Sequence, residues 1–191
     1  PESKKPGLFR RTRAILDAFF VHGGGNVWVK AGTVPPASIP LYGGVCLSGG
    51  FDDGMTLELR DVAAHPTRIE GLNDQPILDI ANGNGASVID GFVLDGLLDA
   101  SEGIRNLGLP AEVRSTTIQD CRRAMRLQSL ATGSAVVVVL ASVIGRGATV
   151  EGLSVIGPHD LVLEGCTFEL NAQEGVSLGS LIAPAGGSAR L

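Results

Sequence analysis

GFVLD at residues 91–95, TTIQD at 116–120, ASVIG at 141–145 and CTFEL at 166–170 centre on Val93, Ile118, Val143 and Phe168, spaced 25 residues apart. A fixed period in the twenties marks a solenoid: one repeat is one coil, which cannot bury its apolar face alone, and stacked neighbours share a core. A second strand-like element follows in each repeat: EGIRNL around Ile104, RAMRLQSL around Met125, ATVEGLSV around Val150 and EGVSLGSL around Val176. Its steps are 21, 25 and 26 residues. The four central residues of the first set are therefore expected to pile into one interior column, while the corner before the second strand absorbs insertions. The apolar runs are short, rich in Val and Ile, and bounded by Gly or Asp, which favours strands over a helical repeat. An antiparallel sandwich has no reason to hold one position at a constant step. The expected fold is all-β, a parallel solenoid.

Outward from this core, LFRRTRAILDAFFV at residues 8–21 has the period of an amphipathic helix. Leu8, Ile15 and Phe19 form its apolar stripe, Arg10, Arg11, Arg13 and Asp17 its wet face, and Gly23 to Gly25 stop it. NVWVKAGTV follows as a first strand in which Val27 and Val29 alternate with Trp28 and Lys30. A solenoid end leaves strand edges and an apolar cross-section open, so the helix is expected to be its lid. Val45 and Leu47 form an inward pair between glycine corners, and residues 56–66 (TLELRDVAAHP) are expected to be a loop or insertion. The predicted organisation is a basic tail at 1–7 and a single domain at 8–182, made of the capping α-helix (8–21) and coils (26–182). A flexible tail is expected at 183–191.

The composition agrees with stacked parallel strands: 44% apolar residues, 4% aromatic and 27 glycines in 191 residues, with the glycines suited to tight corners. The net charge is −5. Lys4, Lys5, Arg10, Arg11 and Arg13 against Glu2 give the first thirteen residues a local +4, leaving −9 for the rest. An acidic body repels phosphate backbones, which argues against a nucleic-acid partner. The longest apolar run, from Ala135 to Ile144, is about ten residues, too short for a helical membrane span. The chain opens on Pro1 with no signal-peptide pattern, which reads as a processed form or a piece of a longer precursor. Cys121 and Cys166 lie two coils apart, about 10 Å in strand spacing, beyond the roughly 7 Å that a disulfide spans. Buried thiols are the expected state, with Cys46 left without an evident partner.

The succession GGGNVWVKAGTV, IPLYGGVCLSGGF, HPTRIEG and SVIDGFVLDG, followed by strand–turn–strand coils, resembles the right-handed parallel β-helix, or pectin-lyase-like, family. The likeness is closest to its bacterial surface and secreted branch of polymorphic outer-membrane and adhesin-type proteins, and it covers residues 8–182. Val34 departs from it, where that branch usually has Tyr. The resemblance implies a right-handed winding, export, and an extracellular or bacterial cell-surface location.

On such a fold, chemistry belongs to outward side chains one period apart. Asp95 and Asp120 are expected one above the other, about 5 Å apart. Such a pair, with Asp90 as a third oxygen source, is a candidate Ca²⁺ site, or an acid and base. The competing reading is that Asp closes strand ends by capping backbone groups. Arg122, Arg123, Arg126 and Arg146 form a basic patch. In the resembled family, polysaccharide lyases pair a calcium-bound uronate with a basic residue, so Asp95, Asp120 and Arg122 are the catalytic candidates. The recognisable lyase signatures and the NTD, GHG and RIK signatures of galacturonan hydrolases are absent from the sequence. Asp52 and Asp53 are expected to shape a turn. His22, His65 and His159 (beside Asp160) have no metal-ligand spacing, and GGG (23–25) and GNG (83–85) lack the lysine of a phosphate loop. Trp28 and Tyr42 are the candidate sugar-stacking rings.

The expected function is a non-catalytic exported module for surface display, adhesion, or contact with glycans or assembly partners, without a cofactor. The alternative is a lyase or hydrolase of acidic polysaccharide using Ca²⁺. Expected partners are a polysaccharide, another surface protein, or a second copy joined through an exposed solenoid end.

Overall fold

The structure, a computed structural model, describes residues 24–97, 99–129, 135–179 and 189–190. The expected capping helix at 8–21 and the basic tail at 1–7 lie outside the described residues. In chain order the strands are β1 (Gly25–Lys30), β2 (Gly32–Val34) and β3 (Ile39–Tyr42), then β4 (Val45–Phe51), β5 (Thr67–Glu70) and β6 (Leu78–Asn82). They continue as β7 (Ser87–Asp90), β8 (Phe92–Asp95) and β9 (Glu102–Asn106), then β10 (Ala111–Arg114), β11 (Thr117–Gln119) and β12 (Arg123–Gln128). The last sets are β13 (Val136–Ala141), β14 (Ile144–Arg146) and β15 (Glu151–Ile156), then β16 (His159–Glu164), β17 (Thr167–Glu169) and β18 (Glu174–Gly179), and finally β19 (Ala189–Arg190).

Each run of three strands is one coil, and each coil gives one strand to each of three sheets. The first sheet is β1-β4-β7-β10-β13-β16-β19, the second β2-β5-β8-β11-β14-β17, the third β3-β6-β9-β12-β15-β18. Every pairing is parallel and joins one coil to the next. The protein is an all-β parallel solenoid of about six coils, and no helix occurs among the described residues.

The interior is built from columns of aliphatic side chains. In the first sheet Leu47, Ile89, Val113, Leu140 and Leu163 align, and in the third Leu78, Ile104, Met125, Leu153 and Val176. From the second coil to the fifth these residues are almost fully buried, each contributing about 1.5–3 kcal/mol. Alternation supplies the columns, because every second side chain of a strand points inward.

The second sheet corrects the sequence register. Its inner column is Val34, Ile69, Leu94, Ile118, Gly145 and Phe168, with steps of 24, 27 and 23 residues over the last four. Val93 faces outward and pairs with Thr117, and Val143 lies in the corner before β14. The constant 25-residue spacing therefore does not describe one stack. Corners of unequal length shift where each strand begins, and burial of Leu94 and Ile118 fixes the register. The third sheet likewise aligns Leu153, not Val150, with Met125.

Small residues sit where backbone and ring approach. A Cβ on Gly103 would lie 2.1 Å from Ile118 Cγ2, and one on Gly145 2.6 Å from the Phe168 ring. Asn106 is buried within an aliphatic column and closes its corner by donating to Leu109 O (2.8 Å) and accepting from Leu109 N (2.9 Å).

The loop or insertion expected at residues 56–66 is part of a longer connection, residues 52–66, between β4 and β5. Arg60 clasps it to the first sheet, donating to Gly49 O (3.1 Å), pairing with Asp90 and lying over the Phe51 ring. Ala189–Arg190, within the stretch expected to be a flexible tail, form β19 and extend the first sheet from β16.

Candidate functional site

The outer face of the second sheet carries the candidate residues, in an order the sequence did not give. Register places Glu70, Asp95, Gln119, Arg146 and Glu169 one above another. Asp120 is not in that ladder. It follows β11 by one residue, in the left-handed backbone region at φ 55°, where a short polar side chain is tolerated.

Asp95 points outward by alternation yet is 1% exposed. Its Oδ1 accepts from Leu97 N at 2.9 Å, and its Oδ2 accepts from Gln119 Nε2 at 2.6 Å and from Arg68 Nη2 at 2.5 Å. Gln119 Nε2 also reaches Asp120 Oδ2 at 3.3 Å, and Arg146 Nη2 donates to Gln119 Oε1 at 2.8 Å. The result is a continuous polar chain, Arg68–Asp95–Gln119–Arg146, running along the solenoid. Arg68 and Gln119 were not singled out from the sequence. Their signal was present as opposite or complementary polar residues about one coil apart, but variable corners hid which ones meet.

The candidates Asp95 and Asp120 are thus joined through one amide, not stacked. Arg122 has an exposed side chain, and its backbone N–H donates to Ala100 O at 2.9 Å. Asp90 belongs to the first sheet, where it pairs with Arg60, and its Oδ1 is buried without a hydrogen-bond partner. Among the described residues no group of three or more His, Cys, Asp or Glu is placed to hold a metal ion. Asp90, Asp95 and Asp120 accordingly do not converge.

A second polar cluster covers the third sheet. Arg105 binds Asp79 through two parallel contacts, Nε to Oδ1 at 2.9 Å and Nη2 to Oδ2 at 2.6 Å, which push the guanidinium pKa up. Arg123 Nε donates to Glu151 Oε2 at 2.8 Å, and Arg126 Nη1 lies 3.6 Å from Glu102 Oε1. The basic patch foreseen around Arg122, Arg123 and Arg126 is mostly charge-compensated.

Trp28 is half exposed and stacks on Phe51, ring centres 5.1 Å apart and planes 8° from parallel. Tyr42 stands at the end of β3, on a different sheet, and packs partly against the core. The two rings do not form one platform. His159 is inward-facing and buried. Its pKa is lowered by burial, and its Nε2 lacks a hydrogen-bond partner. His65 Nδ1 lies 4.0 Å from Asp52 Oδ2, while His22 lies outside the described residues. Lys30 reaches Asp53 at 2.5 Å, which ties the Asp52/Asp53 corner to the first strand.

All three thiols are free. Cys121 is buried as expected, and burial pushes its pKa up to about 12. Cys46 and Cys166 are half-buried: Cys46 is on the outward phase of β4, and Cys166 lies at a corner where its Sγ donates to Leu140 O at 3.2 Å. No helix of the described residues is long and apolar enough to cross a membrane.

Comparison with protein families, with curated proteins and with solved structures gave no match.

Proposed function

We propose that this chain is a non-catalytic, exported β-helix module that presents its lateral faces for adhesion, glycan contact or assembly. Right-handed winding and kinship with the pectin-lyase-like surface proteins belong to this proposal, and rest on the corner and strand motifs of the sequence. One observation carries the non-catalytic part. The carboxylate best placed for chemistry, Asp95, already accepts three hydrogen bonds from Leu97, Gln119 and Arg68. A carboxylate so engaged is a structural acceptor, with little capacity left to bind calcium or take up a proton. The partner expected on the second sheet is a polysaccharide or another surface protein, reading the exposed ends of Arg146 and Glu169 beside Thr117 and Thr167.

The test has two arms. Incubation with uronic-acid polymers, with and without Ca²⁺, is expected to yield no new unsaturated or reducing ends. A glycan array probed with the wild-type chain and with Arg146→Ala is expected to show binding that the substitution weakens. Calcium-dependent chain cleavage, lost in Asp120→Asn or Arg122→Ala, would replace this reading with the lyase or hydrolase alternative.

A further inference from the structure

β13 (Val136–Ala141) reads VVVVLA and is the only strand among the described residues made wholly of aliphatic side chains. Val136, Val138 and Leu140 face the core and are buried. By alternation Val137, Val139 and Ala141 point outward. Val137 is 49% exposed, and Val139 and Ala141 are half-buried. A parallel strand that is apolar on both faces has the pattern of one covered on both, yet the described residues leave the outer face of β13 open. This patch is a side of the solenoid and not an end: β10 flanks it on one side, β16 on the other, and β19 lies beyond β16.

The neighbouring strands give the patch a charge pattern. Register sets Arg114, Ala141 and Glu164 one above another, and Glu112, Val139 and Val162 likewise. Arg114 donates from Nε to Glu112 Oε1 at 2.5 Å, and its two terminal nitrogens have no ion-pair partner among the described residues. Glu164 is exposed and takes part in no ion pair within 4.0 Å among those residues.

A cation one coil before β13 and an anion one coil after it, at the same place along the strand, form a pattern complementary to itself. Half a turn about the line of β13 exchanges the fourth and sixth coils and turns the face over. Two copies so related lay Val137, Val139 and Ala141 against the same residues of the other copy. Arg114 of each copy then stands opposite Glu164 of the other.

We propose that the outer face of β13 is the interface of a two-fold dimer of this chain. The two first sheets pack face to face, with the solenoid axes running in opposite directions. Such a contact is isologous, so it closes at two copies. The strand directions stay within the roughly 30° usual for stacked sheets, and the spacing of about 10 Å between sheets leaves room for Arg114 and Glu164 to meet at the margin. Strand lengths and spacings make the patch roughly 20 by 14 Å, well under the roughly 800 Å² per partner of a stable interface. The dimer is therefore weak and reversible. Glu112, Asp160 and Glu164 give this face more negative charge than Arg114 offsets, so pairing depends on where the charges stand and not on their sum. The inference deepens the assembly part of the function proposed above, and it is independent of any glycan bound on the second sheet.

Sedimentation equilibrium over a protein concentration series tests it. The wild-type chain is expected to show a monomer–dimer equilibrium in the high-micromolar range, with nothing larger. Arg114→Glu and Glu164→Arg are each expected to weaken dimerisation about tenfold, as like charges then face each other at two places. Glu164→Arg weakens it although it lowers the net negative charge of the face. The double variant Arg114→Glu/Glu164→Arg restores both opposite-charge pairs and is expected to return the dimer to near wild-type strength. Val137→Lys, which sets two ammonium groups together on the axis, is expected to abolish it. All of these side chains are exposed, so the variants are expected to keep the wild-type far-UV circular dichroism, and binding in the glycan array is expected to be unchanged. A strictly monomeric wild type at millimolar concentration would overturn the proposal. So would oligomers that grow past the dimer, single reversals without effect, or a double variant as weak as the singles.

Discussion

Gln119 lies directly across from Asp95 between β8 and β11, and its amide donates to the Asp95 carboxylate at 2.6 Å. With Arg68 on one side and Arg146 on the other, the pair forms a lengthwise polar strut on the second sheet. Asp95→Asn is expected to cost about 2–4 kcal/mol in denaturant unfolding, since it leaves Arg68 facing a neutral group at a buried acceptor. Gln119→Ala, which leaves Arg68 and Leu97 as donors to Asp95, is expected to cost about 1–2 kcal/mol. A cost for Asp95→Asn below that of Gln119→Ala would show that the carboxylate is not the centre of the strut.

Gly103, Ala124, Gly152 and Gly175 hold the second position of β9, β12, β15 and β18 in the third sheet. Gly103→Ala places a methyl group 2.1 Å from Ile118 Cγ2. It is expected to destabilise the protein by about 1–3 kcal/mol through overpacking. Ala124→Gly, at the equivalent position one coil on, removes only a methyl group and adds backbone freedom, and is expected to cost about 1 kcal/mol or less. Thermal unfolding of the two variants side by side measures the difference.

Arg60 is the main polar tie between the insertion at 52–66 and the coils. Arg60→Ala leaves Asp90 buried beside an empty space, and is expected to cost about 3 kcal/mol. Limited proteolysis is expected to cut the variant within 52–66 well before the wild type, with the rest of the solenoid still protected. Val62, packed against Gly50 and Gly91, holds the loop less firmly once the guanidinium is gone.

Cys121 and His159 set opposite pH limits. The Cys121 thiol rises from 9.0 to about 12 in the folded chain, so unfolding releases its proton more easily. Its stabilising contribution is complete below pH 9.0 and declines by about 1.4 kcal/mol per pH unit above that. His159 is lowered from 6.5 by burial, so its contribution is present above pH 6.5 and is lost as the pH falls. Denaturant unfolding as a function of pH is expected to show a flatter alkaline limb in Cys121→Ala and a flatter acid limb in His159→Leu. An alkylating reagent at pH 8 is expected to label Cys46 and Cys166 long before Cys121.

The solenoid was legible because short Val- and Ile-rich runs between Gly and Asp corners recur at a coil's length, and few other folds use such a pattern. Its register was less legible. Phe92, Val93 and Leu94 are all apolar, so alternation in β8 has two plausible phases, and the sequence does not say which one faces inward. Interior packing decides for Leu94, which pairs with Ile118 and so sets Asp95 across from Gln119 in place of Asp120. The expected Asp95/Asp120 stack failed for this reason. Where charge and spacing agree, as in Asp79 and Arg105, the pairing is visible in sequence once the register is known. The insertion was recognisable over residues 56–66 because that stretch lacks alternation, but its anchoring by Arg60 depends on a fold-back that no local pattern encodes.

The ladder hydrogen bonds of this protein run from coil to coil, and contacts between strands are dominated by adjacent coils. A load applied along the long axis therefore meets these bonds in their own direction, and every seam between coils carries it in series. Its toughness under tension is then set by the seam with the fewest such bonds, not by the sum over all of them.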